Sequence, residues 1–226
     1  MDLKELNEFG KILTKKLNLK TKPVAVSLIP KGYAIPEGIE KLDESTRHCQ
    51  MVDMVRKTGR EFYATADEQA CKGGSAIMGL NEMPSKLSTG QTYLNLNRFD
   101  TINAARRTME SVTRLEANSI KAVVYGPLEN ATFAPDVIVI ITTPKQVMQL
   151  SQALIYKHGG RVETSFAGIQ SVCADGVVKP YKEGKVSVTL GCGGSRKFAN
   201  IAEDEMIIGI PVERAHDLLE AVNEML

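Results

Sequence analysis

Four cysteines carry the chemistry this sequence offers, and they fall into two similar pairs. Cys49 and Cys71 stand 22 positions apart, and Cys173 and Cys192 stand 19 apart. Each pair follows one order: a cysteine, a short element, a strand-like run, then a second cysteine with glycines and a serine behind it. The runs are Phe62-Tyr-Ala-Thr65 and Val186-Ser-Val-Thr-Leu190. The turns are Cys71-Lys-Gly-Gly-Ser75 and Cys192-Gly-Gly-Ser195. This reads as a degenerate internal repeat.

A strand that ends in cysteine, then glycines, then a helix leaves backbone N–H groups pointing outward. Glycine permits the tight turn and the close approach of backbone to ligand. The partial positive charge of a helix start adds to this and favours thiolate. The same groups suit an anion, whether a phosphate or the sulfides of an iron–sulfur cluster. Four thiolates converging across a pseudo-twofold interface would supply the all-cysteine ligand set of a 4Fe–4S cluster. The expected ligands are Cys49, Cys71, Cys173 and Cys192, with Gly73, Gly74, Ser75, Gly193, Gly194 and Ser195 as cofactor-binding backbone. The implied work is electron transfer, redox sensing or Lewis-acid chemistry.

Zinc is the weaker metal, because no C-x-x-C pair is present. The alternative is a metal-free module in which the two Gly-Gly-Ser turns hold a small phosphate or carboxylate. Lys72 and Arg196 would then add charge and the cysteines would be incidental. A third reading makes Cys71 or Cys192 the nucleophile of a redox enzyme. Cys49 and Cys173 alone read equally well as small core residues. Of the histidines, His48 reads as an exposed loop residue, His158 as a helix cap and His216 as a surface residue. No Walker, G-x-G-x-x-G, G-x-S-x-G or H-E-x-x-H motif occurs.

The elements that must position these residues alternate along the chain. Leu3, Leu6, Phe9, Leu13 and Leu17 predict an N-terminal helix, and Val24 to Pro30 predicts a strand. A helix through Val52 and Val55 ends near Gly59, and residues 81–99 read as a polar loop. Asp100 is placed as the N-cap of a helix to about Leu115. Ile120–Tyr125, Val137–Thr143, Lys185–Leu190 and Met206–Ile210 read as strands, with helices from Pro144 and Pro211. Cys173-Ala-Asp-Gly176 reads as a glycine-containing break. The fold class is α/β or α+β, a mixed sheet flanked by helices. One domain over 1–226 is expected, with pseudo-repeat halves at 20–115 and 135–226.

The 28 Lys and Arg against 27 Asp and Glu, with 5% aromatic residues and no Trp, exclude nucleic acid as a partner. The start, Met1-Asp-Leu-Lys-Glu, is not a signal peptide. The longest apolar run falls far short of the ~20 residues of a membrane helix. These readings place the chain in the cytoplasm, where thiols stay reduced and structural disulfides are not expected. Expected partners are a small anionic ligand near Lys72 and Arg196 and a redox partner protein. Homo-oligomer formation is left open.

The N-terminal helix before Pro23-Val-Ala-Val, Arg47-His-Cys49, Ala70-Cys71-Lys-Gly-Gly74 and Gly191-Cys192-Gly-Gly-Ser-Arg196 resemble a largely archaeal family, the domain of unknown function numbered 169. The resemblance covers almost the whole chain. It implies no substrate and no activity, and it fits an anaerobic cytosol in which an oxygen-sensitive cluster survives.

Overall fold

The computed structural model describes residues 1–226. The first half of the chain runs α1 (Leu3–Lys16), β1 (Val24–Pro30), α2 (His48–Thr58), β2 (Phe62–Ala64), α3 (Lys72–Ile77), α4 (Ser85–Ser88), α5 (Gln91–Asn95), α6 (Ile102–Ser111) and β3 (Ile120–Pro127). The second runs β4 (Val137–Thr142), α7 (Pro144–Ile155), a π-helix (Ser171–Val178), α8 (Lys179–Glu183), β5 (Ser187–Thr189), α9 (Gly193–Phe198), β6 (Met206–Pro211) and α10 (Ala215–Met225). No helix is long and apolar enough to cross a membrane.

The strands form one sheet in the order β2-β3-β1-β4-β6-β5. That order is unchanged when β1, β2 and β3 are exchanged for β4, β5 and β6. The two halves meet at the β1–β4 ladder, where Ala25 faces Ile138. Because β3 completes the first half, that half reaches Pro127 rather than residue 115. All five ladders are antiparallel, so the class is α+β. Parallel pairing is confined to two isolated bridges, Lys41–Tyr63 and Thr46–Gln69.

Period-two alternation in the central strands feeds two separate cores. Ala25, Ile138, Ile140, Ile208 and Ile210 face one side, under α1, α7 and α10. Val24, Val26, Val137, Val139 and Ile207 face the other, under α2, α3 and the π-helix. The first side is built from regular capped helices. Asp2 and Glu5 form a reciprocal capping box on α1, and Thr143 with Gln146 starts α7. The second side is built from short and irregular pieces, and it holds all four cysteines.

Three local expectations are corrected. Residues 81–99 are not a plain loop: α4 and α5 form a small hairpin there. The N-cap of α6 is Thr101 rather than Asp100, since the Thr101 hydroxyl accepts the Ala104 N–H. The segment around Cys173 is helical with π geometry, not a break. Its N-cap Gln170 has φ +52°, and its Gly176 meets β6 backbone to backbone. A side chain at Gly209 would run into the Gly176 carbonyl. The glycine that lets the π-helix lie directly on the sheet is therefore Gly209; at Gly176 itself a side chain would meet only ordinary contacts.

Candidate functional site

β2 and β5 stand at opposite edges of the six strands, about 24 Å apart at ~4.8 Å per neighbour. The chain leaving each edge returns over the α2 side, and Cys71 and Cys192 line one cavity. Each caps a six-residue helix. The Cys71 Sγ accepts the Gly74 N–H at 3.4 Å, and the Cys192 Sγ accepts the Ser195 N–H at 3.4 Å. Two N–H···S contacts at the same offset come from the two halves of the chain.

Cys173 lies beside Cys71. A methyl group placed on Gly74 would touch the Cys71 sulfur at 3.6 Å and the Cys173 sulfur at 3.7 Å. The Cys173 thiol donates to the Gln170 backbone oxygen at 3.4 Å and to its Oε1 at 3.3 Å. Burial, then the sulfurs of Cys71, Cys192 and Cys49, push this thiol well above its ordinary range. Cys49 is the second residue of α2. Burial first, then Cys192 and Cys71, push its thiol up to about 12. Cys173 is therefore within electrostatic reach of the other three.

No three sulfurs come within 4.8 Å of one another; the one such trio of metal-ligand types is His216, Asp217 and Glu220 on α10. As they stand the sulfurs are too widely spaced for a single zinc, whose tetrahedral thiolates sit about 3.8 Å apart. In a four-iron cluster each thiolate bonds a different iron, and the sulfurs stand on the order of 6 Å apart.

Beneath the cysteines lies a buried polar group. His48 is only 2% exposed, not a loop residue at the surface. Its Nδ1 meets the Tyr125 hydroxyl at 2.9 Å, while its Nε2 faces the Val172 carbonyl without completing a hydrogen bond. Burial lowers its pKa to about 4 and keeps the imidazole neutral. His216 is exposed, as expected; His158 is exposed too, and the C-cap of α7 is Tyr156 rather than His158.

The cavity has a volume of about 560 Å³. The first turn contributes Cys71, Lys72 and Gly73, and the second contributes Cys192, Gly193 and Gly194. Leu87, Thr92, Tyr93 and Leu96 close one side from the α4–α5 hairpin. Gly74, Ser75 and Ser195 do not line it. Ser75 Oγ accepts from Asn81 and Ser195 Oγ accepts the Cys192 N–H, so both serines brace their turns from inside. Arg196 is not free to hold a ligand either. Its guanidinium donates to the carbonyls of Leu190, Ile201, Ala202 and Glu205.

Residues that the sequence reading gave no role shape the site. Gln170 donates from its amide to the Tyr93 hydroxyl at 2.7 Å and fills the space a side chain at Gly73 would need. Arg47 stacks on Phe198, its guanidinium 3.7 Å from the ring centre. Arg98 Nη2 stands 3.7 Å from where a Gly193 side chain would begin. A basic residue next to a site cysteine, as in Arg47-His-Cys49, was the one signal that pointed this way.

Comparison with known proteins adds no activity. Residues 12–221 match the family model DUF169, described as an uncharacterised ArCR family. An archaeal relative, the uncharacterized protein MJ0308 of Methanocaldococcus jannaschii, is 41% identical over 223 residues, covering 98% of this chain and 95% of that protein. No solved structure matches the chain.

Proposed function

Because the chain belongs to the DUF169 family, whose description names no activity, we propose its function from its own residues: it binds a 4Fe–4S cluster through Cys49, Cys71, Cys173 and Cys192. The observation that carries this is one of placement. Cysteines from both halves of the chain reach one side of the sheet, with Cys71 and Cys192 on a shared cavity and Cys173 beside Cys71. Backbone N–H groups already point at two of the sulfurs, the contacts that stabilise and tune such clusters. A bound cluster would supply one-electron chemistry, or a Lewis-acidic iron where a ligand position opens. The chain's own part is to hold the sulfurs, bury Cys173, and keep the opposite side open through the cavity. The cytoplasm is the compartment this reading requires, because the thiols must stay reduced.

The test is anaerobic purification and reconstitution, followed by iron and sulfide analysis and visible spectroscopy. The expected result is a brown protein with about four irons per chain. Cys71→Ser and Cys173→Ser should each lose most of the bound iron. A colourless protein free of iron after anaerobic reconstitution removes the reading. In that case the metal-free anion module remains, favoured by the absence of any carboxylate from the cavity wall.

A further inference from the structure

The chain as a whole is balanced, with 28 cations against 27 anions. Its cavity is not. Arg47, Lys72, Arg98 and Lys197 line it, and no Asp or Glu does. None of the four belongs to an ion pair, although the protein forms such pairs elsewhere around Asp53, Glu68 and Asp217. Arg98 has no acceptor for its guanidinium. A single-signed concave wall focuses the field on whatever enters it.

The other wall is apolar. Leu87 and Leu96 come from the α4–α5 hairpin, Ile169 from the segment before the π-helix and Phe198 from the end of α9. Leu96 is 58% exposed and Phe198 is 38% exposed, so both meet water in this state. The volume, about 560 Å³, lies within the range of roughly 300–1,000 Å³ typical of small-molecule sites. Inorganic phosphate would leave most of that space, and all of the apolar wall, unused.

We infer that this cavity binds a small molecule with an anionic head, carboxylate or phosphate, and an apolar body. The head pairs with Arg98 and Lys72 above the two glycine turns, and the body lies along Leu87, Leu96 and Phe198. This deepens the cluster reading by naming a ligand class for the same site. It rests on that reading only for the cluster as neighbour, since the ligand contacts use no cysteine.

Calorimetric titration of the purified chain with octyl phosphate, octanoate, inorganic phosphate and octylammonium tests it. Either or both of the first two should bind one per chain, and which is tighter identifies the head group. Inorganic phosphate should bind at least about tenfold more weakly, and octylammonium should not compete. Arg98→Ala should weaken the tighter probe about tenfold or more, the loss of one charged hydrogen-bond donor. Lys157→Ala, on the opposite side of the sheet, should change nothing. Equal affinity for inorganic and octyl phosphate overturns the inference, as does an unaffected Arg98→Ala protein. Binding that disappears once iron is incorporated also overturns it, because the cations would then serve the cluster's own charge. A protein that stays free of iron after anaerobic reconstitution and still binds octyl phosphate removes the cluster reading and leaves this one standing.

Discussion

Cys71-Lys-Gly-Gly-Ser75 and Cys192-Gly-Gly-Ser195 are written almost alike, and each cysteine caps its helix with the same N–H···S contact. Their surroundings differ. Gly73 and Gly74 are buried, wedged between the Gln170 amide and the sulfurs of Cys71 and Cys173. Gly193 is exposed and Gly194 half-buried, and the only neighbour near a Gly193 side chain would be the Arg98 guanidinium. Both turns reach the cavity, but the first is locked into the opposite half of the chain and the second is open on its cavity side. A repeated motif has thus been divided into a fixed side and an open side, the arrangement a buried cofactor with an accessible flank needs.

The largest test of that division is whether the halves are held together beside the site. Arg56, at the end of α2 and 2% exposed, donates to Asp53 at 2.7 Å and to Glu205 at 2.6 and 3.1 Å. Glu205 precedes β6, so this guanidinium ties the first half to the second. Arg56→Met leaves Glu205 without its buried partner and Asp53 with only the partly exposed Lys57, and should cost about 3–5 kcal/mol in urea unfolding. A loss below about 1 kcal/mol would place the tie elsewhere. The pH dependence has a definite sign. Burial opposes it, but the Arg56 hydrogen bonds hold the Glu205 carboxyl below its ordinary 4.5. The stabilisation is then complete above that value and disappears as pH falls through the lower folded value. Wild type should lose stability on acidification below about pH 4.5, and Arg56→Met should lose less across the same window.

A smaller effect should come from the close approach that seats Cys173. Gly209 in β6 leaves no room for a side chain against the Gly176 carbonyl. Gly209→Ala should cost about 1–3 kcal/mol by overpacking and move the π-helix off the sheet. If the buried cysteine holds the cluster, iron content should fall with it. A variant that loses stability but keeps full iron would show that Cys173 is not a ligand.

Why the cysteine-bearing side of the sheet is harder to read follows from these particulars. Strands β1, β3, β4 and β6 carry their own signal, because a run such as Val137-Ile-Val-Ile-Ile needs two covered faces to be buried. α1 and α7 announce their starts through Asp2 and Thr143. The π-helix gives no such sign. It follows a glutamine at φ +52°, and its Gly176 carbonyl meets a strand more than thirty residues later. The α4–α5 hairpin is hidden for a related reason: neither helix has a buried residue, so no apolar period exists to be seen. The cysteines were legible as chemistry because residue type and glycine context are local. That Gln170 and Tyr93 would close around them, and that Arg196 would be spent on four carbonyls, depends on distant chain.

The most discriminating comparison has the smallest magnitude and turns on sign. Alanine replaces glycine at one corresponding position in each turn. At Gly73 the new methyl must displace the Gln170 amide, and Gln170 is held by its bond to Tyr93 at 2.7 Å and by the Cys173 thiol. Gly73→Ala should therefore destabilise by about 1–2 kcal/mol. At Gly194 the only atom near the new methyl is the Cys192 sulfur at 3.7 Å, an ordinary contact, and the backbone is helical without positive φ. There alanine reduces the freedom of the unfolded chain and favours the helix, so Gly194→Ala should stabilise by about 0.4–1 kcal/mol. Thermal unfolding of the two variants side by side reads the difference. Opposite shifts in Tm establish one locked turn and one open turn; shifts of the same sign mean that the two glycine turns are equally constrained, and the division of the site into a fixed and an accessible flank fails.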